Sequence, residues 1–248
     1  MEHYFYEAFA GLERLAPGSK QSTRTAMSLV RLDREKAITI LDVGCGTGIS
    51  TICLAEFFPN ARITAIDTHE PYLEVLKQQL NVKGLASRVD VQCLSMTDMD
   101  FPPASFDLIW AEGSIYIAGF QTGLTEWRSF LKPEGYLVCS EISWLHANPA
   151  EESKAFWEQG YPEIATIADK ISQIDGLDYA YEFSFVLPEE DWMDEYYGPL
   201  EGNLQAMEER YPDNAAALNV VSLLREEIKL YHNHVRDYTY VFYGMKKV

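Results

Sequence analysis

Apolar and polar positions along this chain follow two rhythms, one helical and one alternating, and the rhythm switches many times. Residues 3–16 place Phe5, Phe9, Leu12 and Leu15 at helical spacing, and Pro17-Gly18 stops that pattern. Ser22 or Thr23 reads as the cap of a second helix reaching about Leu32. Short apolar runs then alternate with helical periods. Strands are expected at 38–43, 62–66, 89–94, 106–110 and 136–142, and helices at 50–58, 71–83 and 122–130. Pro59-Asn60 ends the first of these helices. Pro71 suits the first turn of the second and Gly84 its stop. Strands alternating with helices at these intervals imply a parallel, doubly wound sheet.

The last hundred residues depart from that minimal pattern. Residues 155–174 read as mostly helical, with a break near Gly160-Tyr161-Pro162. Residues 181–187 and 238–245 read as two further strands. Between them lies an insertion of about 188–234, with helices expected at 200–210 and 214–234. Neighbouring strands need only a short turn, so an insertion of this length suits a lid or a partner surface. The expected organisation is one domain: an N-terminal helical cap (1–36), a core (37–187), the helical insertion (188–235) and a final strand (236–248).

The chemistry concentrates at the end of the first strand. Leu41-Asp42-Val43-Gly44-Cys45-Gly46-Thr47-Gly48 runs from a strand into a glycine loop, and the next strand closes on Asp67. Glycines without a Cβ let the backbone turn sharply and approach a ligand. The helix that follows offers free N–H groups to an anionic group. Asp67 is placed to accept hydrogen bonds from ribose hydroxyls. This arrangement suits a nucleoside-bearing cofactor at the carboxyl edge of a parallel sheet. The spacing Gly44-x-Gly46-x-Gly48 differs from the G-x-G-x-x-G of dinucleotide sites, which makes a nicotinamide oxidoreductase the lesser alternative.

The stretch 41–48 resembles motif I of the class I S-adenosylmethionine-dependent methyltransferases, and it has company in the expected order. Phe106-Asp107-Leu108-Ile109-Trp110 resembles that family's fourth strand, and Leu131-Lys132-Pro133-Glu134-Gly135-Tyr136-Leu137 the turn before its fifth. Trp110-Ala111-Glu112-Gly113-Ser114-Ile115-Tyr116 is similar to the ubiquinone- and menaquinone-type group and its uncharacterised bacterial members. The resemblance covers about 37–143. It implies a Rossmann-like sheet of seven strands, the last antiparallel, and S-adenosyl-L-methionine as cofactor. Gly44, Cys45, Gly46 and Gly48 would supply close backbone and Asp67 the ribose contact. Thr68 or His69 would border the adenine, with Ser95 and Met96 standing where many relatives carry Gly-Asp-Ala.

The same resemblance implies methyl transfer to a small-molecule acceptor, or binding of the cofactor without transfer. The sulfonium is already activated, so the protein must mainly align the reactants and exclude water. Glu112 and Tyr116, on the loop after the fourth strand, are the candidate catalytic residues, and Glu112 is also a candidate cofactor contact. Glu141 and His146 come second. Tyr116, Trp144, Trp192, Tyr196 and Tyr197 are candidate walls of an acceptor pocket, since aromatic faces suit flat, apolar or cationic groups.

Composition narrows the partners. The formal net charge is −18 over 248 residues, a field that repels nucleic-acid phosphates. No apolar run reaches the length of a membrane span, and the start of the chain lacks the regions of a signal peptide. Cys45, Cys53, Cys93 and Cys139 form no C-x-x-C pair, which fits reduced thiols in a cytoplasmic protein. His232 and His234 point apart on a helix, and no metal site is expected. A homodimer built on the insertion is the alternative to a lid.

Overall fold

The computed structural model describes residues 2–248. One eight-stranded sheet organises them. β1 (Thr39–Val43), β2 (Arg62–Asp67), β3 (Val89–Cys93), β4 (Phe106–Glu112) and β5 (Leu131–Trp144) run parallel. β6 (Ala165–Thr166) is a two-residue strand beside the end of β5. The two expected late strands are β7 (Tyr179–Val186) and β8 (Tyr238–Lys247). β8 lies antiparallel between β5 and β7, and the order across the sheet is β3-β2-β1-β4-β5-β8-β7. The order reverses between β1 and β4, which places a crevice at their carboxyl ends.

Helices cover both faces. α3 (Ile49–Phe57), α4 (Glu70–Val82) and α5 (Phe120–Trp127) connect the first five strands. α6 (Glu151–Gly160) and α7 (Ile167–Asp175) precede β7, broken at Tyr161-Pro162 as the sequence indicated. Two apolar clusters fill the space on either side of the sheet. One is built around Ile40, Leu108, Trp110 and Phe242, the other around Leu41, Ile109, Leu137 and Tyr243. The alternation of neighbours between the two clusters is the period-two pattern of a sheet buried on both faces.

The N-terminal segment differs from its sequence reading. α1 spans only Glu2–Ala8, and α2 spans Lys20–Leu29. The cap of α2 is Ser19, whose hydroxyl accepts the Ser22 N–H at 3.1 Å, not Ser22 or Thr23. Leu12 and Leu15 therefore do not continue a helix. Residues 13–18 cross the glycine loop instead, with Thr47 donating its hydroxyl to the Glu13 carbonyl at 2.9 Å. Tertiary contact, not helical period, sets the spacing of apolar residues there.

The insertion between β7 and β8 is helical throughout most of its length. α8 (Glu190–Trp192) leads through a π-helical turn, Met193–Tyr197, into α9 (Gly198–Arg210), and α10 (Ala215–His234) returns to the sheet. Asn214 caps α10 by accepting the N–H groups of Ala216 and Ala217. The insertion touches the N-terminal cap: Asn203 donates to the carbonyls of Ala8 and Ala10. Among the described residues, no helix is long and apolar enough to cross a membrane.

Candidate functional site

A cavity of about 580 Å³ opens at the carboxyl ends of the strands, and the N-terminal segment, the strand loops and the insertion all line it. It has two ends of different character.

The first end is made by backbone. Gly44, Gly46 and Gly48 all have positive φ, at 70°, 53° and 93°. The Gly44 and Cys45 N–H groups both donate to the Ile66 carbonyl at 2.9 Å, which ties the loop to β2. Asp67 accepts the Gly46 N–H on one oxygen and the His69 N–H on the other, each at 2.9 Å. Its carboxylate is thus oriented before any ligand arrives, and each oxygen keeps a second lone pair. Thr68, Ser95 and Met96 line the same end, with Gly44, Cys45 and Gly46. Burial pushes the Cys45 thiol well above its ordinary range, so it stays protonated.

Gly48 does not reach the cavity. A Cβ there would lie 2.1 Å from the Leu76 side chain of α4, so this glycine permits helix packing and is not placed to touch a ligand. A Cβ on Gly46 would meet Leu15 at 2.8 Å, and one on Gly113 would meet Ala16 at 2.5 Å. The missing side chains make room for the N-terminal segment as much as for a ligand.

Asp42 lies beneath the loop, buried, accepting hydroxyls from Ser50 at 2.9 Å and Thr51 at 2.6 Å on one oxygen. Its other oxygen has no hydrogen-bond partner. Burial pushes its carboxyl up to about 7, against the pull of those two hydroxyls.

Glu112, the candidate catalytic residue and cofactor contact, lines the cavity but is engaged by other side chains. Its side chain is buried and forms an ion pair with Arg14 at 2.7 Å. Thr23 donates to it at 2.8 Å and the Trp110 indole N–H at 3.1 Å. Both oxygens are engaged, so its evident task is to hold the N-terminal segment against β4. Arg14 was not singled out in the sequence, and Thr23 only as a helix cap, because nothing local marks a residue whose partner lies about ninety positions away.

The second end is made of side chains. Tyr116, Trp157, Tyr161, Trp192, Tyr196 and Tyr240 line it. Tyr116 sits edge-on to Tyr161 at 6.0 Å and keeps 41% of its surface. Tyr196 joins from the π-helical turn, with Phe9 at 6.1 Å across the cap. Trp192 only edges the space: its indole N–H donates to Thr239 at 2.8 Å and its ring stacks on Tyr231 at 4.3 Å.

Two expected wall residues lie elsewhere. Trp144 packs edge-on against Tyr238 at the end of β5. Tyr197 is buried behind Tyr196, because the π-helical turn sends adjacent residues to different neighbours. The second-choice bases also lie outside. Glu141 is wholly buried against Lys170 at 2.9 Å, and His146 pairs with Asp237 at 3.3 Å on the surface. The sequence reading missed Glu227 of α10, which lines the aromatic end and accepts the Tyr197 hydroxyl at 3.0 Å. It also missed Tyr6, whose ring stacks on His69 at 3.8 Å over the loop after β2.

Comparison with known proteins agrees with this geometry. Residues 40–135 match the family described as a methyltransferase domain. An O-methyltransferase of Penicillium expansum is 31% identical over 146 residues, 58% of this chain and 52% of its own. A malonyl-[acyl-carrier protein] O-methyltransferase of Bacillus cytotoxicus is 31% identical over 144 residues, 56% of this chain and 48% of its own. The chain spans about half the length, or less, of the curated relatives it matches. A Geobacter sulfurreducens S-adenosylmethionine-dependent methyltransferase, solved with S-adenosyl-L-homocysteine, shares the fold with a TM-score of 0.86. It is 17% identical, over 100% of this chain and 99% of that one.

Proposed function

We propose that this chain, which carries a class I S-adenosylmethionine-dependent methyltransferase domain, transfers a methyl group to a small-molecule acceptor. One observation carries the reading. A single cavity joins the glycine-loop end to the aromatic end, so a cofactor bound at the first presents its reactive group to whatever occupies the second.

The residues present fit the cofactor. The backbone of Gly44, Cys45 and Gly46 lies open to the cavity, and Asp67 is pre-oriented to take the ribose hydroxyls. Thr68, Ser95 and Met96 would border the adenine. Ser95 is a weaker polar partner than the acid it replaces, and its hydroxyl is already shared with Thr97 at 2.8 Å. When bound, the cofactor supplies an activated methyl group, and the acceptor's lone pair replaces the sulfur on it.

The protein's part is alignment and exclusion of water. Arg14, held by Glu112, keeps residues 13–18 over the loop. Tyr6, Phe9 and the insertion close the remaining sides. Tyr116 and Tyr196 flank the acceptor, and Tyr116 is the tyrosine on the loop that leaves β4.

Calorimetry with S-adenosyl-L-methionine, S-adenosyl-L-homocysteine and NAD tests the cofactor assignment: the first two should bind and NAD should not. A methyl-transfer screen of a metabolite extract with labelled cofactor tests turnover. Cofactor binding with no transfer to any metabolite would reduce the protein to a cofactor-binding module.

A further inference from the structure

We infer that the acceptor is a small organic amine with an apolar body, its ammonium group anchored by the Glu227 carboxylate within the aromatic end of the cavity. The inference rests on the methyl-transfer reading and names the substrate class for it.

The argument starts from charge. Among the described residues, Glu227 is the one charged side chain that lines the cavity at the aromatic end. Two cations border the cavity, Arg14 in its wall and Lys170 over the Tyr161 ring, and both are already committed. Arg14 is tied to Glu112 at 2.7 Å. Lys170 is tied to Glu141 at 2.9 Å, with no exposed surface and no place in the cavity wall. A carboxylate or phosphate on the acceptor would therefore lie beside Glu227 with no uncommitted cation to balance it, which disfavours an acidic acceptor.

Glu227 is also short of partners. One neutral donor, the Tyr197 hydroxyl, meets one of its oxygens at 3.0 Å, and among the described residues no group donates to the other. A carboxylate so enclosed costs free energy unless something pairs with it. The residue keeps part of its surface, and that surface belongs to the cavity. An ammonium entering from the cavity supplies both the missing charge and the missing donors. Burial pushes the Glu227 carboxyl upward, against the pull of the Tyr197 hydroxyl.

The surrounding rings favour the same cargo. Tyr116, Tyr196 and Tyr240 line the cavity with Glu227, and burial first, then the Glu227 charge among others, pushes their hydroxyls upward. Trp157 and Tyr161 complete the enclosure. Aromatic faces attract an ammonium and its neighbouring methylenes, more strongly when water is excluded. A neutral alcohol would gain the apolar contact but not the charge pairing.

The test uses the full chain saturated with S-adenosyl-L-homocysteine and three probes of one shape: 2-phenylethylamine, 2-phenylethanol and phenylacetate. Calorimetry should rank the amine about tenfold or more above the alcohol, with phenylacetate weakest. Glu227→Gln, which keeps the shape, should bring the amine to within about twofold of the alcohol and leave S-adenosyl-L-homocysteine affinity unchanged. If that variant fails to fold, the ranking on the unaltered chain decides. Equal or reversed ranking, or no binding by any probe while S-adenosyl-L-homocysteine binds, overturns the amine assignment alone. Loss of S-adenosyl-L-homocysteine binding on the unaltered chain would instead overturn the methyl-transfer reading.

Discussion

The two ends of the cavity are built on opposite plans. The glycine-loop end comes from strand termini and backbone, and its acids are engaged: Asp67 by two N–H groups, Glu112 by Arg14, Thr23 and Trp110. The aromatic end is assembled from side chains as far apart as Phe9 and Tyr240, and its acid, Glu227, has a single protein donor. A site made of satisfied backbone changes little from one ligand to the next and suits a cofactor. A chamber made of side chains can be re-shaped by substitution without disturbing the sheet. In the proposed reading, common chemistry lies at one end and choice of acceptor at the other.

The strongest way to break the contrast is to remove the ion pair that secures the cofactor end. Arg14 and Glu112 keep 3% and 5% of their side-chain surface. Arg14→Ala leaves a buried carboxylate without its cation, which should destabilise the fold by about 3–5 kcal/mol in urea denaturation. Arg14→Met combined with Glu112→Gln should recover most of that loss. A single variant within about 1 kcal/mol of the parent would mean the pair does not secure the segment.

Asp42 is the exception at the engaged end, and it makes the contrast pH-dependent. Its carboxyl sits at about 7 in the folded chain, above its ordinary 3.8, chiefly through burial. Between those values the folded protein binds more protons than the unfolded one. The contribution is therefore full below about pH 4 and lost as pH rises through 7. Its upper bound is about 4 kcal/mol, at 1.36 kcal/mol per unit. Asp42→Asn should remove that component, so the variant should gain on the parent steadily from pH 4 to 8. A difference that stays flat across that range would show that Asp42 titrates normally.

The same contrast explains what the sequence disclosed. Five parallel strands, their helices, the two late strands and both insertion helices were legible, because each is a local rhythm with its own stop signals. Gly44, Cys45, Gly46 and Asp67 were legible as positions because one turn and the next strand's end suffice to bring them to one end of the cavity. Glu227 was not, since a glutamate on an amphipathic helix looks solvated until the sheet and the cap enclose it. Glu112 was legible as a position on the cavity wall, but its saturation was not, because that depends on Arg14 and Thr23. Trp144, Tyr197 and Gly48 were misplaced for a similar reason: which way a residue faces at a strand end or in a π-helical turn is settled by packing.

Gly46→Val sharpens the comparison by damaging the loop from its outer side. The new side chain must accept a φ of 53° and displace Leu15, 2.8 Å from its Cβ. S-adenosyl-L-homocysteine affinity should fall about 100-fold, near 2.7 kcal/mol, with a smaller change in unfolding free energy. Retained affinity would make the loop an ordinary turn.

Asp67→Ala acts on the inner side. It removes the proposed ribose contacts and frees the Gly46 and His69 N–H groups. Charge-assisted bonds of this kind contribute about 1.5–3 kcal/mol, so affinity should fall about tenfold or more while probe ranking at the aromatic end is unchanged. Unaltered affinity in calorimetry removes Asp67 from the site.

The smallest effect should come from Tyr6, where the cap covers the cofactor end without bonding to it. Its ring stacks on His69 at 3.8 Å with the planes 7° apart, and Tyr72 closes the group with its ring 4.4 Å from His69. Such a pair contributes about 0.5–1.5 kcal/mol beyond area burial. α1 is short, and the Arg14 pair holds the segment further along, so loss of the stack should loosen the cover without unfolding it. Tyr6→Ala should therefore raise the S-adenosyl-L-homocysteine dissociation rate about two- to tenfold, as read by stopped-flow displacement, and leave urea stability nearly unchanged. It should also leave the amine preference intact, because Glu227 and its rings lie at the other end. A rate that does not move would confine α1 to packing, and an altered amine preference would show that the two ends are not independent.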